Sequence, residues 1–255
     1  MKQIQIINQD TLETFTFYNN ANGIILRSFE GFEYSSVRDA IEDISGKGGA
    51  VYLTSKFGRR LVSWSGDFVS ASVFTLRRSL VAVLRQQGRM KLIKFTTYDE
   101  LDLQFEAEII KVVNPYNHSI HSFLIEVVAP DWRFFSQEEF EVEVADGEDE
   151  IADNEGNEET DPVFRIDGPG TSFVVTNNTT GESFTIDKAL AVGEYIEINV
   201  KERTILLNGI TSIFSNFEGD FFSLEPGENE IEFVAADGAG ATLLTITFRN
   251  AYNGL

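Results

Sequence analysis

The chain contains no cysteine. That excludes a disulfide, a thiolate metal site and a cysteine nucleophile, and it fits a protein that folds in a reducing cytosol. Methionine and tryptophan occur only twice each and proline five times. The two histidines are His118 and His121, so a Ser-His-Asp arrangement would need one of them as its base, and no Gly-x-Ser-x-Gly elbow accompanies them. Residues three apart on a strand point to opposite faces, which makes the pair a poor metal site and reads as turn or surface histidines. No apolar run approaches the ~20 residues of a membrane span. The N-terminus, Met1-Lys-Gln-Ile-Gln-Ile-Ile-Asn-Gln-Asp10, lacks the apolar stretch of a signal peptide. Asn117-His-Ser119 and Asn177-Asn-Thr179 match the glycosylation pattern and are, on that expectation, chance matches.

Basic residues are the least evenly spread. Residues 1–136 hold 15 Lys/Arg against 15 Asp/Glu, whereas residues 137–255 hold 5 against 26, so the whole net charge of −21 falls in the second part. Such a break predicts two domains, 1–137 and 138–255. The acidic surface repels phosphates, which argues against nucleic-acid binding. It suits either a solvated module or a basic partner. What the chain has in abundance is phenylalanine, 22 copies in 255 residues. With many Val, Ile and Thr, this favours pleated sheet.

In the first part, Ile4/Ile6 and Phe15/Phe17 form alternating pairs, and Asn19-Asn-Ala-Asn-Gly23 is a turn before Ile24. Ser45-Gly-Lys-Gly-Gly49 is a loop tip; it lacks the Gly-Lys-Ser/Thr ending of a phosphate loop. One helix is predicted near 71–87, where Val73, Leu76, Leu80, Val83 and Leu84 share a stripe. Ser70 or Ser72 would cap its start, and Gly88 would follow its end. Arg77, Arg78 and Arg85 border the stripe and have two readings, snorkelling over a core edge or a subunit-contact strip. The period then changes to two. Leu101, Leu103, Phe105, Ala107 and Ile109 predict a long half-buried strand, paired across the Asn114–Asn117 turn with Phe123, Ile125 and Val127.

The second part starts with the alternating strand Phe140–Val144 and then the carboxylate-rich stretch Asp146–Asp161. Three readings compete for that stretch: a disordered acidic loop, a calcium loop of the wrong spacing, or a segment whose end enters a strand. Strands are predicted at Val163–Ile166, Phe173–Thr176, Ser183–Ile186, Tyr195–Asn199, Thr204–Leu207, Phe221–Leu224, Glu230–Val234 and Leu243–Arg249, with Asn208-Gly209 and Pro226-Gly227 as turns. The last two strands read as a closing hairpin. The expected fold class is mainly β with one notable helix.

Two motifs carry a family resemblance. Phe222-x-Leu224-x-Pro226-Gly227-x-Asn229-x-Ile231, followed by a closing strand pair, resembles the end of distal tail proteins from long-tailed (siphovirus) bacteriophages. Asn154-x-Gly156 with Pro162-x-x-x-Ile166-x-Gly168 resembles the stretch that opens the same family's C-terminal sheet, with about two extra residues before Pro162. The pattern of strands, one helix and a long hairpin is similar to the family's N-terminal domain. The resemblance implies an N-terminal ring-forming β-rich domain and a C-terminal galectin-like β-sandwich. It implies a hexameric ring, single or stacked, in the virion tail, assembled in the host cytoplasm. Its neighbours would be the tail tube, tape-measure and tail-tip or baseplate proteins. It implies a structural part and not an enzyme, with no catalytic residue, cofactor, metal or membrane partner. The alternative is a carbohydrate-binding sandwich for host-surface recognition, against which Trp64 and Trp132 both fall outside the second domain. A hydrolase on a β-scaffold lacks a recognisable nucleophile or base.

Overall fold

The computed structural model describes residues 1–43, 48, 50–69, 73–84, 90–113, 121–238 and 241–255. They divide into two compact units, Met1–Gln137 with Tyr252–Leu255, and Glu138–Ala251.

The first unit is built on two-residue alternation. Strands β1 (Gln3–Ile7) and β2 (Thr14–Tyr18) pair so that Ile4 faces Phe17 and Ile6 faces Phe15, all four buried. Then follow β3 (Ile24–Glu30), β4 (Val37–Asp43), β5 (Ala50–Phe57), β6 (Arg60–Phe68), helix α1 (Val73–Val83), β7 (Lys91–Thr96), β8 (Asp102–Val113), β9 (Ser122–Ala129) and β10 (Phe134–Ser136). The main sheet runs β2-β1-β7-β8-β9-β6-β3, with β10 also on β8. Strand β8 carries the sheet round the core. Asp102–Ala107 pair with β7, the residues from Glu108 pair with β9, and the register slips between Ile109 and Lys111. A slip of that kind bends a strand and increases its twist. Trp64, Phe17, Phe68, Phe95 and Phe134 fill the interior. Each such ring contributes roughly 2–3 kcal/mol of burial. Among the described residues, strands β4 and β5 pair only with each other.

Helix α1 forms because Val73, Arg77, Leu80 and Val83 fall on one face, and that face is buried. Its last turn is held by Asn8, whose Nδ2 donates to the Val83 carbonyl at 3.2 Å. The Asn8 Oδ1 accepts from the Asp10 and Thr11 amides, so one buried side chain joins the β1–β2 turn to the helix end. The expected caps at Ser70, Ser72 and Gly88 lie outside the described residues, as do His118, the Asn114–Asn117 turn and, Gly48 excepted, the Ser45–Gly49 loop.

The second unit is a two-sheet sandwich. Its strands are β11 (Phe140–Ala145), β12 (Glu148–Asn154), β13 (Val163–Asp167), β14 (Ser172–Asn177), β15 (Glu182–Ile186), β16 (Tyr195–Asn199), β17 (Thr204–Leu207), β18 (Thr211–Ser212), β19 (Phe217–Gly219), β20 (Gly227–Ala236) and β21 (Leu243–Phe248). One sheet is ordered β11-β21-β13-β16-β17-β18 and the other β12-β20-β14-β15-β19. Phe164, Phe173, Phe184, Phe222 and Phe233 lie between them, each at most 1% exposed.

Three expectations are corrected here. The closing hairpin is not one: β20 pairs with β12 and β14, while β21 pairs with β11 and β13 in the other sheet. Alternation shows that each strand has one buried face; it does not show which sheet the strand joins. The acidic stretch is not a disordered loop. It turns at Gly147 (φ +82°) and forms β12 against β20. Its carboxylates occupy outward positions, while Ala152 and Asn154 are fully buried. Phe221–Leu224 is not a strand but a core-filling segment, with Phe222 and Leu224 buried and a single bridge from Leu224 to Thr160.

Candidate assembly surface and the signature residues

The three arginines of the sequence strip are placed differently. Arg77 lies on the buried face of α1 at 6% exposure, in line with Val73 and Leu80. Arg78 is exposed. Arg85 lies outside the described residues. Phe74, Arg78 and Val81, at spacings of four and three, form an exposed line along the helix, with Phe74 at 42% and Val81 at 59%. A second exposed apolar feature is the β4–β5 pair, where Val37 and Tyr52 face solvent.

Arg60 opens β6 and organises the irregular backbone of the first unit. Its Nε donates to the Trp132 carbonyl at 2.6 Å. Its Nη1 donates to the carbonyls of Gly31 at 3.0 Å and Glu33 at 2.8 Å. Its Nη2 donates to Asn253 Oδ1 at 3.1 Å. The guanidinium also lies 4.1 Å from the Phe134 ring centroid. Asn253 Oδ1 accepts the Ser35 amide as well, so the chain terminus is tied back to the first unit. Burial lowers the Arg60 pKa to about 10, opposed by the charges of Glu33 and Asp131. The group stays charged at neutral pH, but with its donors committed to carbonyls it is a structural clamp. Gly31 permits the arrangement: its φ is +82°, and a Cβ there would lie 1.9 Å from the Leu61 carbonyl oxygen.

In the second unit the motif residues prove to be backbone organisers. Asn229 is fully buried. Its Nδ2 donates to the carbonyls of Glu225 (2.8 Å), Gly227 (2.9 Å) and Ala152 (3.3 Å), and its Oδ1 accepts from the Glu225 amide (3.0 Å) and Asn177 Nδ2 (3.2 Å). It therefore fixes the turn that Pro226 and Gly227 (φ +94°) form. Asn154 does the same at the other motif. Its Nδ2 donates to the Glu158 and Leu224 carbonyls, and its Oδ1 accepts from Gly156 and Ala251. A Cβ on Gly156 would lie 1.9 Å from the Ala251 carbonyl oxygen, which is why glycine stands two places after Asn154. Sequence reading identified the motifs without their mechanism. The signal was available: Asn229 is in phase with Ile231 and Phe233, so it points inward, and a buried amide must be hydrogen-bonded.

Residues 155–252 match the family described as siphovirus-type tail component, C-terminal domain. This stretch is therefore similar to a siphovirus-type tail-component domain. The match covers the same stretch as the two asparagine motifs. In this chain those motifs hold the backbone of the matched stretch. Over nearly the whole chain the fold is similar to that of SPP1 Dit (gp 19.1), whose crystal structure is described as a paradigm of the hub adsorption apparatus in phages infecting Gram-positive hosts. The TM-score is 0.69 at 14% identity, over 97% of this chain and 98% of that one. The phage P2 baseplate in its activated conformation with Ca is more distant, at TM-score 0.46 and 10% identity over 96% of this chain and 97% of that one, and carries no weight. No curated protein matches the chain in sequence. Among the described residues, no group of three or more His, Cys, Asp or Glu is arranged to hold a metal ion. His121 precedes β9, where its carbonyl accepts the Phe68 amide at 2.9 Å.

Proposed function

We propose that this chain is a structural distal tail protein. Copies close into a hexameric ring at the end of a long non-contractile phage tail, and the ring joins the tail tube to tail-tip or baseplate proteins. The reading makes the chain a virion part assembled in the host cytoplasm and assigns it no catalytic residue or cofactor. The family match over residues 155–252 carries it, and the Dit-like fold of the entire chain supports it. The mechanism is geometric. A head-to-tail contact between unlike surfaces generates a closed ring when its rotation closes.

Residues 1–137 would make that contact. Two features support this. The exposed line Phe74–Arg78–Val81 on α1 gives an apolar strip with a charged centre. A two-stranded sheet is marginal on its own, and β4–β5 has no third strand among the described residues. The near-neutral charge of this part suits packed subunit contacts, and the acidic part remains free of nonspecific adhesion.

Light scattering coupled to size-exclusion chromatography tests the proposal. The expected result is a hexamer or a stacked pair of hexamers, with Phe74→Ser/Arg78→Glu shifting the mass towards monomer. A concentration-independent monomer that fails to form rings when mixed with isolated tail tubes overturns it.

A further inference from the structure

The second unit carries an aromatic ladder that begins in its core and ends in solvent. Phe164, Phe184 and Phe222 are buried and mutually in contact, with centroids 5.2–5.6 Å apart. Phe217 on β19 stands 5.6 Å from Phe184. Phe221 stacks on Phe217 at 4.5 Å and 26°. Phe214, in a 3-10 turn spanning Phe214–Asn216, stacks on Phe221 at 6.0 Å and 23°. Phe217 and Phe221 are partly buried, and Phe214 is 52% exposed. The outermost ring is thus held by a chain of rings rooted in the core. Little side-chain freedom remains to be lost when something binds it, which is the property of an anchor at an interface.

The surroundings select the partner. Asp187, Glu218 and Asp220 are exposed beside the ladder, on the segments that carry or pair with it. Among the described residues none of the three takes part in an ion pair. From residue 204 to 248 there are seven Asp/Glu and not one Lys or Arg. A flat π face inside a net negative field attracts a planar cation that can stack and donate to carboxylates, which is a guanidinium rather than an ammonium. The unit contains one such pair already: the Arg165 guanidinium lies 3.8 Å from the Tyr195 ring centroid and donates to both Asp167 carboxylate oxygens. A glycan would favour Tyr or Trp with hydrogen-bonding edges, and the ladder has neither.

We propose that the Phe214–Phe217–Phe221 ladder is a docking surface for an arginine-bearing segment of a partner protein. Arg side chains stack on Phe214 and reach the carboxylates of Glu218, Asp220 or Asp187. This surface is independent of ring formation, so the two proposals fail separately.

The test uses the full chain with two synthetic peptides of equal charge, an Arg-Gly repeat and a Lys-Gly repeat, titrated by calorimetry at fixed salt. The Arg peptide is expected to bind about threefold or more tightly than the Lys peptide, the margin a surface cation–π contact supplies. Phe214→Ala should abolish that preference. Because Phe214 is half exposed, the variant should fold, and its thermal transition checks this. Glu232→Gln, on β20, should weaken both peptides alike through the general field. Equal binding of the two peptides, a preference that survives Phe214→Ala, no binding at all, or displacement of the peptide by a neutral oligosaccharide would each overturn the proposal.

Discussion

The two units solve one problem with different chemistry. Each must hold irregular backbone at the margin of a β-core, and each does so with polar side chains directed inward. The first unit uses a charge: Arg60 gathers three carbonyls and the Asn253 side chain under one guanidinium. The second uses neutral amides: Asn154, Asn177 and Asn229, all fully buried, share the work of two turns and a strand crossing. The difference follows the charge of the surroundings. Glu33 and Asp131 favour the charged form of Arg60 and offset part of its desolvation. In the second unit an amide serves as both donor and acceptor without adding to a charge of −21.

The comparison breaks first at Arg60. Replacing it with Met would keep the stem volume and remove every donor, leaving three part-buried carbonyls and the buried Asn253 side-chain oxygen without it. A loss of about 3–5 kcal/mol is expected from several acceptors left without their donor. In calorimetry the transition of the first unit should fall sharply while that of the second stays in place. A shift of both together would mean that the units unfold as one body. Lys in place of Arg should not rescue the effect, because an ammonium cannot span carbonyls on Trp132, Gly31 and Glu33 at once.

Asn229→Ala is the counterpart in the second unit, with an expected loss of about 2–3 kcal/mol. The Pro226-Gly227 turn should loosen first, which hydrogen exchange at the Glu225 amide, a donor to Asn229 Oδ1, would report. Gly156→Ala should destabilise the same region by a different route, the collision with the Ala251 carbonyl.

Much of this was legible from sequence where one rule sufficed. Strands β13 to β17 follow from alternation with turn residues between them, and Tyr195–Asn199 and Thr204–Leu207 fall as expected. What alternation could not convey was partnership. Strands β20 and β21 both show one buried face, and a hairpin and a crossover between sheets produce the same pattern. Composition misled at β12, because residues crowded with carboxylates were weighed as a block. Position by position, Ala152 and Asn154 fall on the inner face. The buried arginines are hidden for a related reason. Arg60 is in phase with Val62, Trp64 and Phe68, and Arg77 with Val73 and Leu80, so periodicity placed both inward while their charge argued for the surface. A polar residue in phase with a buried stripe is the signal that finds such groups.

The smallest and most discriminating effect concerns the outer face of β12 and β20. Asp149 stands opposite Glu232 and Asp153 opposite Glu228, like charges paired across a ladder. Such pairs oppose strand association, and among the described residues no Lys or Arg is ion-paired with any of the four. Raising the salt concentration should therefore raise the transition of the second unit by screening this repulsion, and should leave the balanced first unit almost unmoved. Glu232→Lys, which places an ammonium opposite Asp149, should raise the second transition by about 2 °C at low salt and lose most of that gain at 1 M salt. Equal salt responses in the two units would show that the charge asymmetry has no bearing on stability. The acidic face would then have to be explained by what it repels or attracts.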